Sequence, residues 1–324
     1  MKCSGRSGRN ENLMQVFLQQ LVNGLSIGAV YALIALGYTM VYGVLRLINF
    51  AHGDVYMVGA VVAYCVAEWM ASLHAAFFLS LPVMFLTAMA ACALLGFLIE
   101  FLCYRPLRHR PRLVVLITAI GVSLLLENLF QVPSIFGPTP RTLPALFQVR
   151  PVIHFMVGSS GRPVVINNLD LTSICLSVIM MLGLSWFVLR TKLGLALRAV
   201  SFRVDTASLM GVNTNGVISL TFVLGSALAA VAGVVDAMRY QVEPLMGLNQ
   251  GIKAFVAAVL GGIGSIPGAM LGGLLMGLVE TLLKGCILPS AYSGYSDAAA
   301  FFVLILILLV RPSGLLGKPV AEKV

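Results

Sequence analysis

Three polar residues stand within six positions of one another in the run INFAHGDVY: Asn49, His52 and Asp54. An amide, an imidazole and a carboxylate at this spacing can hold a polar solute or pass a proton. They lie between strongly apolar segments, where polar groups are expensive and often functional. Two readings stay open. In one, Asn49 caps a helix at an interfacial turn and His52 sits in headgroup water. In the other, Gly53 marks a broken segment placed for function. Glu100, Glu127 and Glu280 lie near the ends of apolar runs, where snorkelling or pairing with a loop explains them; the same residue types could also serve an ion-coupled carrier. Bond-making chemistry lacks its residues. No G-x-x-x-x-G-K-[ST] occurs, so the chain does not hydrolyse ATP through a phosphate loop. No nucleophile elbow, zinc motif or paired carboxylates are present. The six cysteines, at positions 3, 65, 92, 103, 175 and 286, show no ligand spacing, so neither disulfides nor a metal are inferred, and no cofactor is expected on this chain.

These residues must be positioned by membrane helices. Of the 324 residues 59% are hydrophobic and 10% charged, against about a quarter charged in soluble domains. The apolar runs are continuous, not alternating, which excludes a barrel pattern and leaves helices. The expected fold is an all-α polytopic membrane protein with about eight transmembrane helices, some broken or re-entrant. The net charge of +9 is spread over loops; it reads as topology signal and lipid headgroup contact, not as a nucleic-acid surface.

The spans are expected at about residues 16–45, 55–73, 79–104, 113–130, 171–189, 216–238 and 295–310, with 251–283 too long for one simple crossing. The first, 16–45, is long enough for one helix or for a surface helix plus a span. Residues 1–13 form a polar, basic N-terminal extension, native or added by a misassigned start; residues 14–324 form a single transmembrane domain. Residues 131–170, rich in Pro and Gly, are an external loop region with room for short strands. Arg105, Arg108, His109, Arg110 and Arg112 mark one cytoplasmic loop, and residues 190–215 mark another.

Residues 190–215, RTKLGLALRAVSFRVDTASLMGVNTN, carry Arg190, Lys192, Arg198 and Arg203 against one acid, Asp205. Leu193 to Val200 suit a short surface helix. A second short helix fits from about Val204 to Met210, with Gly211 as its C′ residue. At helical spacing Val204, Ala207, Ser208 and Gly211 form one small-residue face that another protein could approach closely. The alternative is a solvated loop whose charges only set topology.

GGIGSIPG, residues 261–268, interrupts the long apolar stretch 251–283 because Pro267 and four glycines disfavour a continuous helix. A hairpin there keeps the basic tail (Arg311, Lys318, Lys323) on the cytoplasmic side. The same parity puts the N-terminus outside, against Lys2, Arg6 and Arg9, unless residues 1–13 are not native or the first stretch crosses twice. Gly261, Gly264 and Ser265 are expected at a helix break deep in the protein, close to Asn49, His52 and Asp54; a tight turn at the membrane surface is the alternative.

Four separated blocks occur in one order: GYTMVYGVLRLINFAHGDVYMVGA (37–60), residues 207–212 with Asn213, KAFVAAVLGGIGSIPGAMLGG (253–273), and RPSGLLGKP (311–319). Together, over about residues 14–324, they resemble the permease of a high-affinity branched-chain amino-acid ABC transporter. Ala207 and Gly211, four apart and followed by an apolar span, resemble the coupling loop of such permeases, although Phe202 and Arg203 stand where relatives often carry acidic or polar residues. The resemblance implies a multi-pass protein of a bacterial inner membrane, a homologous second permease, two cytoplasmic ATPase subunits that hydrolyse the ATP, and a periplasmic amino-acid-binding protein. It implies coupling to the ATPase through Arg198, Asp205, Ala207, Ser208 and Gly211. It also implies a path for leucine, isoleucine or valine past Asn49, His52 and Asp54; Gly261, Gly264 and Ser265 are candidates for the same path because a helix break in lipid must be buried or line a watered cavity. The other functions open to this sequence are a permease for another small solute such as urea, and an ion-coupled secondary transporter.

Overall fold

The computed structural model describes residues 4–47, 49–74, 77–108, 110–144, 150–155, 163–287, 295–311 and 313–317. His109, Lys318, Lys323 and parts of the 131–170 loop fall outside them. Among the described residues eleven α-helices follow in order: α1 (Ser4–Leu45), α2 (His52–Ser72), α3 (Phe77–Ile99), α4 (Arg112–Gln131), α5 (Asn168–Arg190), α6 (Lys192–Phe202), α7 (Val204–Leu209), α8 (Thr214–Ala237), α9 (Met246–Gly261), α10 (Ile266–Leu282) and α11 (Ser296–Val310). α3 runs on through a π turn (Glu100–Tyr104) and a 3-10 turn (Arg105–Leu107). Within residues 131–170, β1 (Pro151–Phe155) and β2 (Val164–Asn167) pair antiparallel.

Among the described residues seven helices are long and apolar enough to cross a membrane; α9 and α11, at 16 and 15 residues, are shorter than the roughly 20 a simple span needs. The long first stretch is one helix, so it does not cross twice. Gly24, Gly28 and Gly37 in it are not breaks but seams. A Cβ on Gly28 would lie 2.8 Å from the Leu274 backbone, and one on Gly277 would lie 2.3 Å from the Gly28 nitrogen. α1 and α10 thus meet backbone to backbone, the close packing that small residues allow in lipid. α2 crosses α8 the same way, with Gly233 against the Tyr56 carbonyl.

α1 and α8 form the centre, with 89% and 78% of their most apolar windows buried; for α5 the figure is 17%, and for α3 and α4 28%. α3, α4 and α5 turn outward side chains such as Leu94, Leu124 and Leu182 to the surroundings, as lipid-facing helices do.

Candidate functional site

One end of the helix core is marked by α6 and α7. Thr191 caps α6, its Oγ1 accepting from the Gly194 amide at 3.0 Å, and Leu197 and Val200 turn inward. Gly194 presses on the Phe187 and Val188 carbonyls, with no room for a Cβ, so α6 folds tightly back on α5. Arg198 is exposed and donates to the Leu189 carbonyl at the end of α5 (3.4 Å). α7 stops where the sequence predicts. Gly211 takes φ +81°, a left-handed conformation that glycine adopts without cost, and the Val212 amide returns to the Ala207 carbonyl (3.1 Å).

The expected small-residue face does not form as one surface. Asp205, Ser208 and Gly211 are exposed, but Ala207 is buried, because α7 lays that side against the protein. What the loop presents outward is apolar and large: Phe202, Leu209 and Met210 are 81%, 88% and 80% exposed. Such side chains in a basic, polar loop were a sequence signal for a contact surface.

The two basic clusters meet at this end. Arg108 donates to Asn215 Oδ1 (2.6 Å) and to Glu100; Arg105 donates to Ser219 Oγ (3.2 Å), which itself donates to Glu100 (2.6 Å). Glu100 is fully buried, so the pairing explanation holds for it. Burial pulls the Arg108 guanidinium below its ordinary value while the Glu100 carboxylate acts against that shift.

The glycine-rich break also lies here. α9 ends at Gly261, Gly262 turns with φ +100°, and Ser265 caps α10 by accepting from the Gly268 amide (3.2 Å). Gly261 is buried and Gly264 exposed. Gly264 and Ile266 share a cavity of about 160 Å³ with Thr39 and Met40 of α1 and Leu197, Arg198 and Ser201 of α6. The carbonyls of Leu260 and Gly261, left without partners by the end of α9, accept from the amides of Leu315 and Leu316 (2.8 and 3.0 Å). The block at residues 253–273 and the described part of the tail block, residues 313–317, are therefore one structural unit.

Asn49, His52 and Asp54 are buried together at the start of α2, not in an exposed turn. The Asn49 side chain does not cap the helix; its Oδ1 accepts from the Tyr104 hydroxyl (2.8 Å). His52 lies against the Tyr38 ring (centroids 4.6 Å apart), and its Nε2 has no partner. Ser123 donates to Asp54 Oδ2, while Asp54 Oδ1 and Glu127 Oε1 have none. Gly53 packs on Gly247 and Gly251 in the first half of α9. The structure does not bring this group to the break: from Gly251 to Gly261, about 15 Å of α9 intervenes.

At the opposite end lies a second polar site that the sequence reading missed. α8 leaves residues 190–215 at Thr214 and runs 24 residues, about 36 Å, longer than a hydrocarbon core of about 30 Å. Near its far end Asp236 accepts from Tyr56. Beside it, Lys253 Nζ stands 3.0 Å from both Glu280 and Asp297, Lys284 Nζ is 2.6 Å from Glu280, and Tyr31 donates to Glu280 Oε2 (2.7 Å). Arg239 pairs with Asp170 at 3.0 Å. Burial, then the Asp236 charge, hold the Tyr240 phenol above its ordinary value, so it remains a neutral donor. The available signal was charge inside apolar sequence: Lys253, Glu280, Lys284 and Asp297 are the exceptions in residues 251–310.

The family model for the branched-chain amino acid transport system permease component matches residues 20–310. The chain is 46% identical over 314 residues to the high-affinity branched-chain amino acid transport system permease protein BraD of Pseudomonas aeruginosa, covering 95% of this chain and 98% of that protein. It is 44% identical over 313 residues to LivH of Escherichia coli K12, with the same coverage. A probable LivH of Methanocaldococcus jannaschii is 27% identical over 88% of each chain. The buried α1–α8 core and the seven spanning helices agree with a membrane permease, and the chain belongs to the branched-chain amino acid transport system permease family.

Proposed function

We propose that this chain is the transmembrane permease subunit of an ATP-powered importer in a bacterial inner membrane, carrying leucine, isoleucine and valine inward. Its partners are a homologous second permease, two cytoplasmic ATPase subunits and a periplasmic amino-acid-binding protein. The observation that carries this reading is the α6–α7 pair with its exposed Phe202, Leu209 and Met210. Large apolar side chains exposed at a helical tip mark a protein contact. α6 meets the end of α1 and the Gly264 turn in one cavity, so a push on the tip reaches the buried core helix. Arg198 holds the α6–α5 junction; Asp205, Ser208 and Gly211 form the outer contact; Ala207 anchors α7 from within. The family relationship, with its relatives named for branched-chain amino acid transport, supports the substrate class.

Asn49, His52 and Asp54 lie along the path in this reading, and Gly261, Gly264 and Ser265 form the turn beneath it. A second reading rests on the unpartnered oxygens of Asp54 and Glu127: buried carboxylates within spans suit a proton- or cation-coupled carrier. Uptake of labelled leucine into vesicles loaded with the purified complex separates the two. Uptake that requires ATP and a copurifying ATPase, and that survives collapse of ion gradients, is expected. Uptake without ATP that ionophores abolish would instead establish the carrier.

A further inference from the structure

We propose that the cavity at the end of the core opposite α6 and α7 is a receiving site for the charged head of a free zwitterionic amino acid. The cavity measures about 280 Å³ and lies between α1, the end of α8 and the facing parts of α9 and α10. This inference rests on the import reading above and assigns residues to it.

The cavity presents both signs of charge. Lys253 and Lys284 offer ammonium groups; Glu280, Asp236 and Glu243 offer carboxylates. Lys253, Glu280, Lys284 and Asp297 form one alternating chain, every link within 3.6 Å. Removing such charges from water costs more than their attraction returns unless the geometry is excellent, so a chain of them at the mouth of a membrane protein points to function more than to stability. An α-amino acid carries one charge of each sign on adjacent atoms. It can insert into an alternating chain with its carboxylate on the lysines and its ammonium on the acids, leaving net charge and pairing unchanged. A cation or an anion alone cannot do so without leaving one buried group unpaired, which is how a built polar site rejects an incomplete ligand.

Two further features point to a ligand. Gln250 lines the same cavity, and its Oε1 is shielded from solvent without a partner, an acceptor that an ammonium group can satisfy. Ile27, Val30 and Met246 give the wall an apolar stretch that suits a branched aliphatic side chain. Tyr31 ties the two halves together: its hydroxyl holds Glu280 while Lys253 lies 5.9 Å from its ring.

The test uses the complex purified with its partner permease and ATPases but without any binding protein, titrated with radiolabelled L-leucine. Saturable binding is expected. Excess unlabelled leucine should displace it, whereas isoamylamine, which lacks the carboxylate, and 4-methylpentanoate, which lacks the ammonium, should not. Glu280→Gln and Lys284→Met should each weaken binding about tenfold or more, about 1.4 kcal/mol. Lys284 is 43% exposed, so its variant is expected to fold even if the Glu280 variant does not; lipid-facing Leu182→Ala is the control. No binding by the wild-type complex, displacement by either analogue as effective as by leucine, or wild-type binding by the folded variants would overturn the proposal. The same preparation, reconstituted with binding protein and ATP, reports uptake separately. Absence of uptake counts against the import reading, while uptake without leucine binding at the cavity removes this inference alone.

Discussion

The two ends of the core handle polarity in opposite ways. At the α6–α7 end the buried charge is gathered into one knot around Glu100, and the exposed tip is apolar. At the far end Lys253, Glu280 and Lys284 line a cavity wall, and Asp297 pairs with both lysines. In the proposed function, the difference separates two tasks. A surface that docks another protein exposes apolar bulk and keeps its ion pairs structural; a surface that handles a small charged solute keeps exchangeable charges beside open space.

The comparison breaks most readily at Glu100. If the knot is structural, Glu100→Ala leaves the Arg105 and Arg108 guanidiniums without their buried carboxylate and should cost about 3 kcal/mol or more. Thermal unfolding of the detergent-purified protein measures it. Normal stability with impaired transport would make Glu100 part of the transport machinery and erase the contrast between the ends.

Gly211→Trp comes next. Placing a side chain in the left-handed conformation costs about 1–2 kcal/mol, but nothing lies within 4 Å of a Cβ there, so the chain should fold. Uptake should fall by more than this strain explains because the bulk stands between α7 and its partner. A well-expressed variant with normal uptake would count against the coupling role.

Leu209→Ser sharpens the same point with a smaller structural effect. An exposed side chain contributes little to the fold, within about 0.5 kcal/mol, yet ATPase copurification should drop. Retention of the ATPase in both Leu209→Ser and Phe202→Ser would show that the apolar tip is not the contact. The mildest change is Ser208→Cys, which should leave stability and uptake unchanged and crosslink to a cysteine placed on the ATPase. Its labelling from outside intact cells by an impermeant thiol reagent would reverse the assignment of the two ends.

Much of the helical layout was legible in the sequence because it is local. The α7 stop at Gly211 and the break between α9 and α10 both follow from glycine and proline backbone preferences within a few residues. The inward turn of Ala207 was not legible, because a six-residue helix has too few turns for its pattern to reveal which side faces the protein. Nor was the depth of residues 261–268: GGIGSIPG specifies a break, but the 314–317 segment fifty residues later covers only Gly261 and Gly262, and Gly264 and Pro267 stay exposed, so the break is not deep throughout as expected.

By itself the sequence determined that this chain crosses a membrane several times, that residues 190–215 form two short helices, and which family it belongs to. Tertiary structure alone decided which apolar helices are core and which face lipid. α1 and α5 have similar mean hydropathy, 1.7 and 2.1, yet one is almost wholly buried and the other mostly not. In water, burial follows hydrophobicity; in a bilayer the surroundings are as apolar as the interior, so hydropathy carries no information about facing. Packing decides instead, through glycine seams such as Gly28 on Gly277. The same packing brings Lys253, Glu280 and Asp297, up to 44 residues apart in the chain, to within 3.0 Å of one ammonium group.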